Sequence, residues 1–256
     1  MQYIRHVDPS VFPPDAFRSY FIAEPANGLD TAYCIQTRVP PGKGTTRGKH
    51  VHPADQIYYI MKGQMNVLLG EEEYVAKPGQ LVFIPKGLPH WNWNTTDEEE
   101  VHFELIVPAP AREEIALDPG SLAVPDVKGL QMVRTLDETK FDQQRFSQIV
   151  IADRSTGCEN VSMGIFRVRP GGSTPYHAHR VDQVYFVMQG EMTVQIGFDE
   201  YKAGPNTLVI LPAGMPHRNW NATSEPEYHI NLRLPEPLPE WGPWDLPVTI
   251  DLTREA

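Results

Sequence analysis

Gly44-Thr-Thr-Arg-Gly-Lys-His50-Val-His52-Pro-Ala-Asp-Gln56-Ile-Tyr-Tyr-Ile-Met-Lys-Gly63 decides how this chain reads. It sets two histidines two residues apart, with a glutamine four residues after the second. On a strand, residues i and i+2 face the same way, so both imidazoles aim at one point. A neutral ring nitrogen is a good ligand for zinc, iron, nickel or manganese. A single His-x-His says little, because hydrogen-bonded core pairs are more common. Here the pattern recurs. Moving 127 residues along the chain lands on His177, His179 and Gln183, with Gly171 and Gly190 in the places of Gly44 and Gly63.

The repeat extends outward from this stretch. Leu81-Val-Phe-Ile-Pro-Lys-Gly-Leu-Pro-His90-Trp-Asn-Trp-Asn94 matches Leu208-Val-Ile-Leu-Pro-Ala-Gly-Met-Pro-His217-Arg-Asn-Trp-Asn221. Upstream the offset becomes 129, so that Gln2, Arg5, Asp8 and Phe12 match Gln131, Arg134, Asp137 and Phe141. The two-residue difference falls in the loop between Gly42 and His50. We expect a unit over 1–112 that includes an N-terminal arm, a linker over 113–129 with Asp-Pro-Gly and Val-Pro-Asp turns, and a second unit over 130–256. The second unit ends in a proline- and tryptophan-rich tail, expected to pack across the other half or a partner subunit, because exposed tryptophans are a liability.

Each unit reads as all-β. Residues 32–39, 56–61, 65–69, 80–84 and 101–107 are short runs of strand length separated by Gly, Pro, Asn and Asp, the spacing of a sandwich or barrel. Short helical turns are expected around Glu113 and Glu138.

These residues carry a family resemblance. Gly44-x5-His50-x-His52-x3-Gln56-x6-Gly63 resembles the first cupin motif, and Gly79-x5-Pro85-x-Gly87-x2-His90-x3-Asn94 resembles the second. The second copy departs at one turn, with Asn206 in the place of a glycine. The resemblance implies two tandem jelly-roll β-barrels. Each would hold one divalent transition metal, through His50, His52, Gln56 and His90 in the first copy and His177, His179, Gln183 and His217 in the second. Iron is expected first; manganese, nickel, zinc and cobalt would also fit. Six of the nine histidines fall at these positions, and two more, His102 and His229, match each other across the repeat.

Glutamine stands where cupins usually carry glutamate. A neutral amide leaves the ion its full charge, which favours polarising a carbonyl and accepting an anionic, chelating small molecule. The same ligand set resembles bicupin isomerases and uronate-opening cupins on one side and three-histidine, gentisate-type dioxygenases on the other. Three function classes follow: a metal-dependent oxygenase, placed first; a non-redox isomerase, lyase or cyclase working through an enolate; and a binding protein without catalysis. An acidic pocket residue able to shuttle protons would favour the second class, and the sequence alone does not locate one.

Further candidates come from strand parity. Tyr58 and Tyr185 lie two residues after the glutamines and share their face, as proton donors or as core aromatics. His102 and His229 are candidates for catalysis, although they share a face with Glu104 and Asn231 that reads as the outside of a strand. Arg38, with Arg167 as its repeat partner, is either a carboxylate clamp or a surface ion pair. Arg47, Lys43 and Lys49 make the first entrance basic, and Trp91 stands where the second copy has Arg218. On this ground the N-terminal site is expected to be the active one.

The net charge of −11 argues against nucleic-acid and anionic membrane surfaces. Cys34 and Cys158 occupy unmatched repeat positions and read as buried thiols of a reducing compartment. With no signal pattern at the N-terminus and no long apolar run, the expected location is cytoplasmic.

Overall fold

The computed structural model describes residues 2–249. Among them the regular elements are strands and single 3-10 turns, and no helix is long and apolar enough to cross a membrane. The expected runs appear as Tyr33–Val39, Asp55–Lys62, Met65–Leu69, Gln80–Ile84 and Glu100–Val107, joined by Glu72–Ala76 and His90–Trp93. The two expected turns are Arg112–Glu114 and Glu138–Lys140. Asn206 adopts φ 61°, in the left-handed region that Gly79 occupies at φ 80° in the first copy. Asparagine tolerates that region better than most side chains, so the missing glycine leaves the turn intact.

The chain forms two compact units. One comprises Asp8–Leu136 and Ser155–Asn160; the other comprises the residues up to Val7, Asp137–Arg154 and the chain from Val161 onward. The first unit has a six-stranded antiparallel sheet in the order Val133–Thr135, Gln80–Ile84, Asp55–Lys62, Glu100–Val107, Tyr33–Val39, Arg18–Ala23. Facing it is a sheet of Glu72–Ala76, Met65–Leu69 and His90–Trp93. The second unit repeats this with Ile4–His6, Thr207–Leu211, Asp182–Gln189, Glu227–Leu234, Ser162–Val168 and Phe146–Ala152.

These packing units do not coincide with the sequence boundaries at 112 and 130. Val133 pairs with Val82, so the strand just after the expected linker completes the first sheet. Ile4 pairs with Val209, so the arm at the start of the chain completes the second. Each short strand covers an edge whose N–H and C=O groups would otherwise be unpaired.

The expected linker and the expected tail also take part in their own barrels. Leu117 exchanges backbone hydrogen bonds with Val51, at 2.9 and 3.0 Å. Leu246–Pro247 pairs with His177–Ala178. This part of the tail therefore pairs within its own unit. The reason is that Leu246 and Leu117 are the same repeat position at the offset of 129, so both straps satisfy the backbone beside the first histidines.

Within each barrel one part of the interior is apolar. In the first, Tyr58, Ile60, Met65, Val67, Val82 and Ile84 form one buried cluster. Tyr185, Val187, Met192, Val194, Val209 and Leu211 are its counterpart. The polar side chains collect elsewhere in the interior, around a cavity.

Candidate metal centres

His50 and His90 are directly opposed across an antiparallel bridge, with His50 N–H donating to His90 O at 3.0 Å and the reverse bond at 2.9 Å. Opposed residues project to the same face. His52, two residues on, joins them, and one ring nitrogen from each of the three lies within 4.8 Å of the others. His177, His179 and His217 form the same group in the second barrel.

The tautomer of all six rings is fixed. Each Nδ1 meets a backbone carbonyl: Gly48 (2.8 Å), Ile115 and Leu88 (2.9 Å) for His50, His52 and His90, and Pro175 (2.8 Å), Trp244 (2.9 Å) and Met215 (2.9 Å) for their counterparts. A carbonyl only accepts, so Nδ1 carries the proton and Nε2 presents a lone pair. The buried Nε2 atoms of His52, His90, His179 and His217 have no protein partner among the described residues. Burial lowers the basicity of these rings, taking His52 and His179 to about 4 and His217 to about 3. His90 is pushed well below its ordinary value by burial and then by His52 and His50. Neutral, oriented, orphaned imidazoles are what a borderline divalent metal requires, and the residues fit one such ion in each barrel.

Gln56 extends the first centre into a polar chain. Its amide oxygen accepts from Tyr58 Oη at 3.1 Å, and its amide nitrogen donates to Glu104 Oε1 at 2.5 Å. Glu104 Oε2 accepts from Thr37 Oγ1 at 3.1 Å and lies 3.9 Å from His102 Nε2. His102 Nδ1 is 2.9 Å from both oxygens of buried Glu100. Burial raises Glu104 above the usual carboxylate range, against the pull of His102, Gln56 and Thr37. Burial, then Glu104 and Glu100, hold Tyr58 well above its ordinary value, so it remains a donor. Burial also opposes the charge of His102, but Glu100 outweighs it and the net shift is upward.

Glu104 and His102 thus face inward, not outward. The register explains why: Tyr58 is opposed to Glu104 and Ile60 to His102, and opposed residues share a face. The cavity of about 130 Å³ beside the histidines is lined by Gln56, Tyr58, His102 and Glu104 as well as His50 and His52.

The second barrel keeps the histidines and changes the rest. Gln183 donates to Asn231 at 3.2 Å and accepts from Tyr185 at 3.0 Å. His229 holds Glu227 as His102 holds Glu100, at 2.9 and 3.0 Å. Phe166, standing where the first copy has Thr37, stacks on His229 at 5.1 Å between ring centroids. The cavity of about 200 Å³ contains Arg233 in place of Ile106, and Asp245.

The other expected site residues lie apart from the first cavity. Trp91 alternates away from His90, stacks on Trp93 at 4.6 Å and donates to Thr45 O. Arg38 pairs with Glu99 at 3.7 Å and covers the Phe12 ring, and Arg167 covers Phe141 in the same way. Arg47 pairs with Asp118 at 3.0 Å and Lys49 with Glu71 at 2.9 Å, so the basic entrance is largely compensated. Sequence reasoning missed Glu104, Asn231 and Arg233 as cavity residues. The available signal was the pairing partner of the inward-facing Gln56 and Tyr58.

The model for the cupin domain matches residues 36–108 and 164–229, together more than half of the chain. The chain belongs to the cupin family. Its barrels are a duplicated cupin domain. Auxin-binding protein 4 of Zea mays is 22% identical over 130 residues, 46% of this chain; the match spans 64% of that protein's length. Auxin-binding protein 5 of the same plant is 24% identical over 98 residues, covering 34% of this chain and 65% of that protein. Among solved structures, oxalate decarboxylase of Bacillus subtilis at pH 4.6 superposes with a TM-score of 0.67 at 14% identity, covering 86% of this chain and 72% of that one. At that identity the likeness speaks for the fold.

Proposed function

We propose that the N-terminal centre is the active site of a divalent-metal-dependent enzyme that moves a proton on a small, chelating, anionic substrate, as an isomerase or lyase does. The observation that carries this reading is Glu104: a buried carboxylate in the cavity, held by Gln56 and Thr37, with His102 and Glu100 behind it. When bound, the metal would polarise a substrate oxygen and stabilise the negative charge that develops there. Glu104 takes the proton from the adjacent carbon, exchanges it with solvent and protonates the product. His102, oriented by Glu100, lies close enough to sense the charge of Glu104 and positions it. Tyr58 fixes the Gln56 amide so that its nitrogen faces Glu104. The amide oxygen of Gln56 remains the fourth donor we propose, beside His50, His52 and His90.

A cavity of about 130 Å³ limits the substrate to a few heavy atoms beyond the metal, since a cavity of about 150 Å³ holds benzene. Small keto acids and dicarboxylates are the classes we put first. Oxalate decarboxylase of Bacillus subtilis, which shares the fold, has Mn(II) centres, and this supports manganese beside iron as the metal. The dioxygenase reading uses the same histidines but leaves the Glu104, His102 and Glu100 chain without a task. The names of the maize relatives support a second reading, ligand binding without turnover.

The test is Glu104→Gln, which preserves size and removes the base. Metal content should be unchanged, and turnover should fall by about 10²–10⁴, the usual contribution of a general acid or base. Full turnover in this variant would exclude the proposed role.

A further inference from the structure

Arg233 is an unusual residue for the interior of a barrel. It is only 8% exposed, lines the C-terminal cavity, and its Nε has no hydrogen-bond partner among the described residues. Its guanidinium lies 4.8 Å from the centre of the Trp244 ring. A buried guanidinium with an unpaired N–H is costly unless an anion joins it. Asp245 lines the same cavity and its charge favours that of Arg233, but its side chain is 62% exposed and its Oδ1 lies 3.5 Å from His179 Nδ1, so a second anion still has room at the guanidinium. The neighbouring cavity position carries neutral Asn231, where the first barrel carries Glu104.

We infer that the C-terminal cavity binds a small carboxylate anion, clamped by Arg233 and flanked by Asn231 and the histidine triad. The planar guanidinium matches a carboxylate in bidentate fashion and stays charged when buried. The cavity of about 200 Å³ suits a molecule such as oxalate or pyruvate. At the place of Glu104 this cavity has the amide of Asn231, and Phe166 stacks on His229 where the first barrel has Thr37. The two barrels then divide the work, one built to move a proton and the other to hold an anion.

The experiment titrates the full, metal-loaded chain with oxalate and with pyruvate, followed by calorimetry and by tryptophan fluorescence. Trp244 reports on this cavity, and Trp244→Phe identifies its share of the signal. Arg233→Ile, which installs the residue of the first barrel, should weaken this binding by about tenfold to a hundredfold, as loss of a charge-assisted pair does. Asn231→Glu leaves the arginine in place but sets a carboxylate two residues away on the same strand face, where it competes for the guanidinium, and should weaken the binding as well. Arg233→Lys should retain part of the affinity. Unchanged carboxylate binding in both Arg233→Ile and Asn231→Glu would overturn the inference. So would the absence of any Trp244-dependent binding, or a preference for inorganic phosphate over both carboxylates.

Discussion

Gln56 and Gln183 hold one position of the repeat but face different neighbours, and the same substitution should separate them. Gln56 donates to Glu104 at 2.5 Å, whereas Gln183 donates to Asn231 at 3.2 Å. Gln56→Glu sets two buried carboxylates against each other, which must then share a proton or separate. It should cost the metal-free chain about 1–3 kcal/mol, the penalty of a lost buried hydrogen bond. Gln183→Glu meets an amide that can turn its NH₂ towards the new carboxylate, so it should cost little and should raise metal affinity at that centre. Thermal melts of the two metal-free variants check this; equal losses would contradict the polar chain around Glu104. The His50–His52 and His177–His179 pairs were legible in sequence because their spacing is local, and His90 and His217 because they recur at the same offset. Glu104 was not, because its role depends on which strand lies opposite Gln56, a long-range fact that alternation within Glu100–Val107 cannot supply. That strand is buried on both faces, so hydrophobicity did not mark its inner side.

Among elements, the two straps are the least conspicuous in sequence and sit closest to the centres. Ile115 and Trp244 supply the carbonyls that fix His52 and His179, and Leu117 and Leu246 pair beside them. Both stretches are rich in turn residues, so composition alone reads one as a linker and the other as a tail. Their equivalence shows only when the offset changes from 127 to 129 after the last strand of each barrel. Leu117→Pro removes the N–H that bonds to Val51 O and should lower metal affinity at the first centre while sparing the second. Ending the chain after Gly242 removes Trp244 and Leu246 and should do the reverse, reducing bound metal from two equivalents to one. Metal analysis of the two variants reads this directly. Two equivalents in both would mean that the straps do not support the histidines.

Across the whole molecule, each unit borrows an edge strand from the far side of a sequence boundary. Ile4–His6 belongs to the sheet of Thr207–Leu211, and Val133–Thr135 to that of Gln80–Ile84. The duplication itself was evident in sequence because both copies retain motif residues at fixed offsets. The exchange was not, because three-residue strands carry no periodic signal. A chain lacking residues 1–7 should therefore lose stability in the second unit, whose edge at Thr207–Leu211 is uncovered, and should aggregate more readily. The proposed division of chemistry between the barrels belongs to this scale and rests on Glu104. The most direct measurement incubates the metal-loaded chain in D₂O, with and without oxygen, with small keto acids and dicarboxylates. The account predicts turnover that consumes no oxygen and places solvent deuterium on carbon in the product, lost in Glu104→Gln. Turnover that requires stoichiometric oxygen and leaves carbon unlabelled would contradict it.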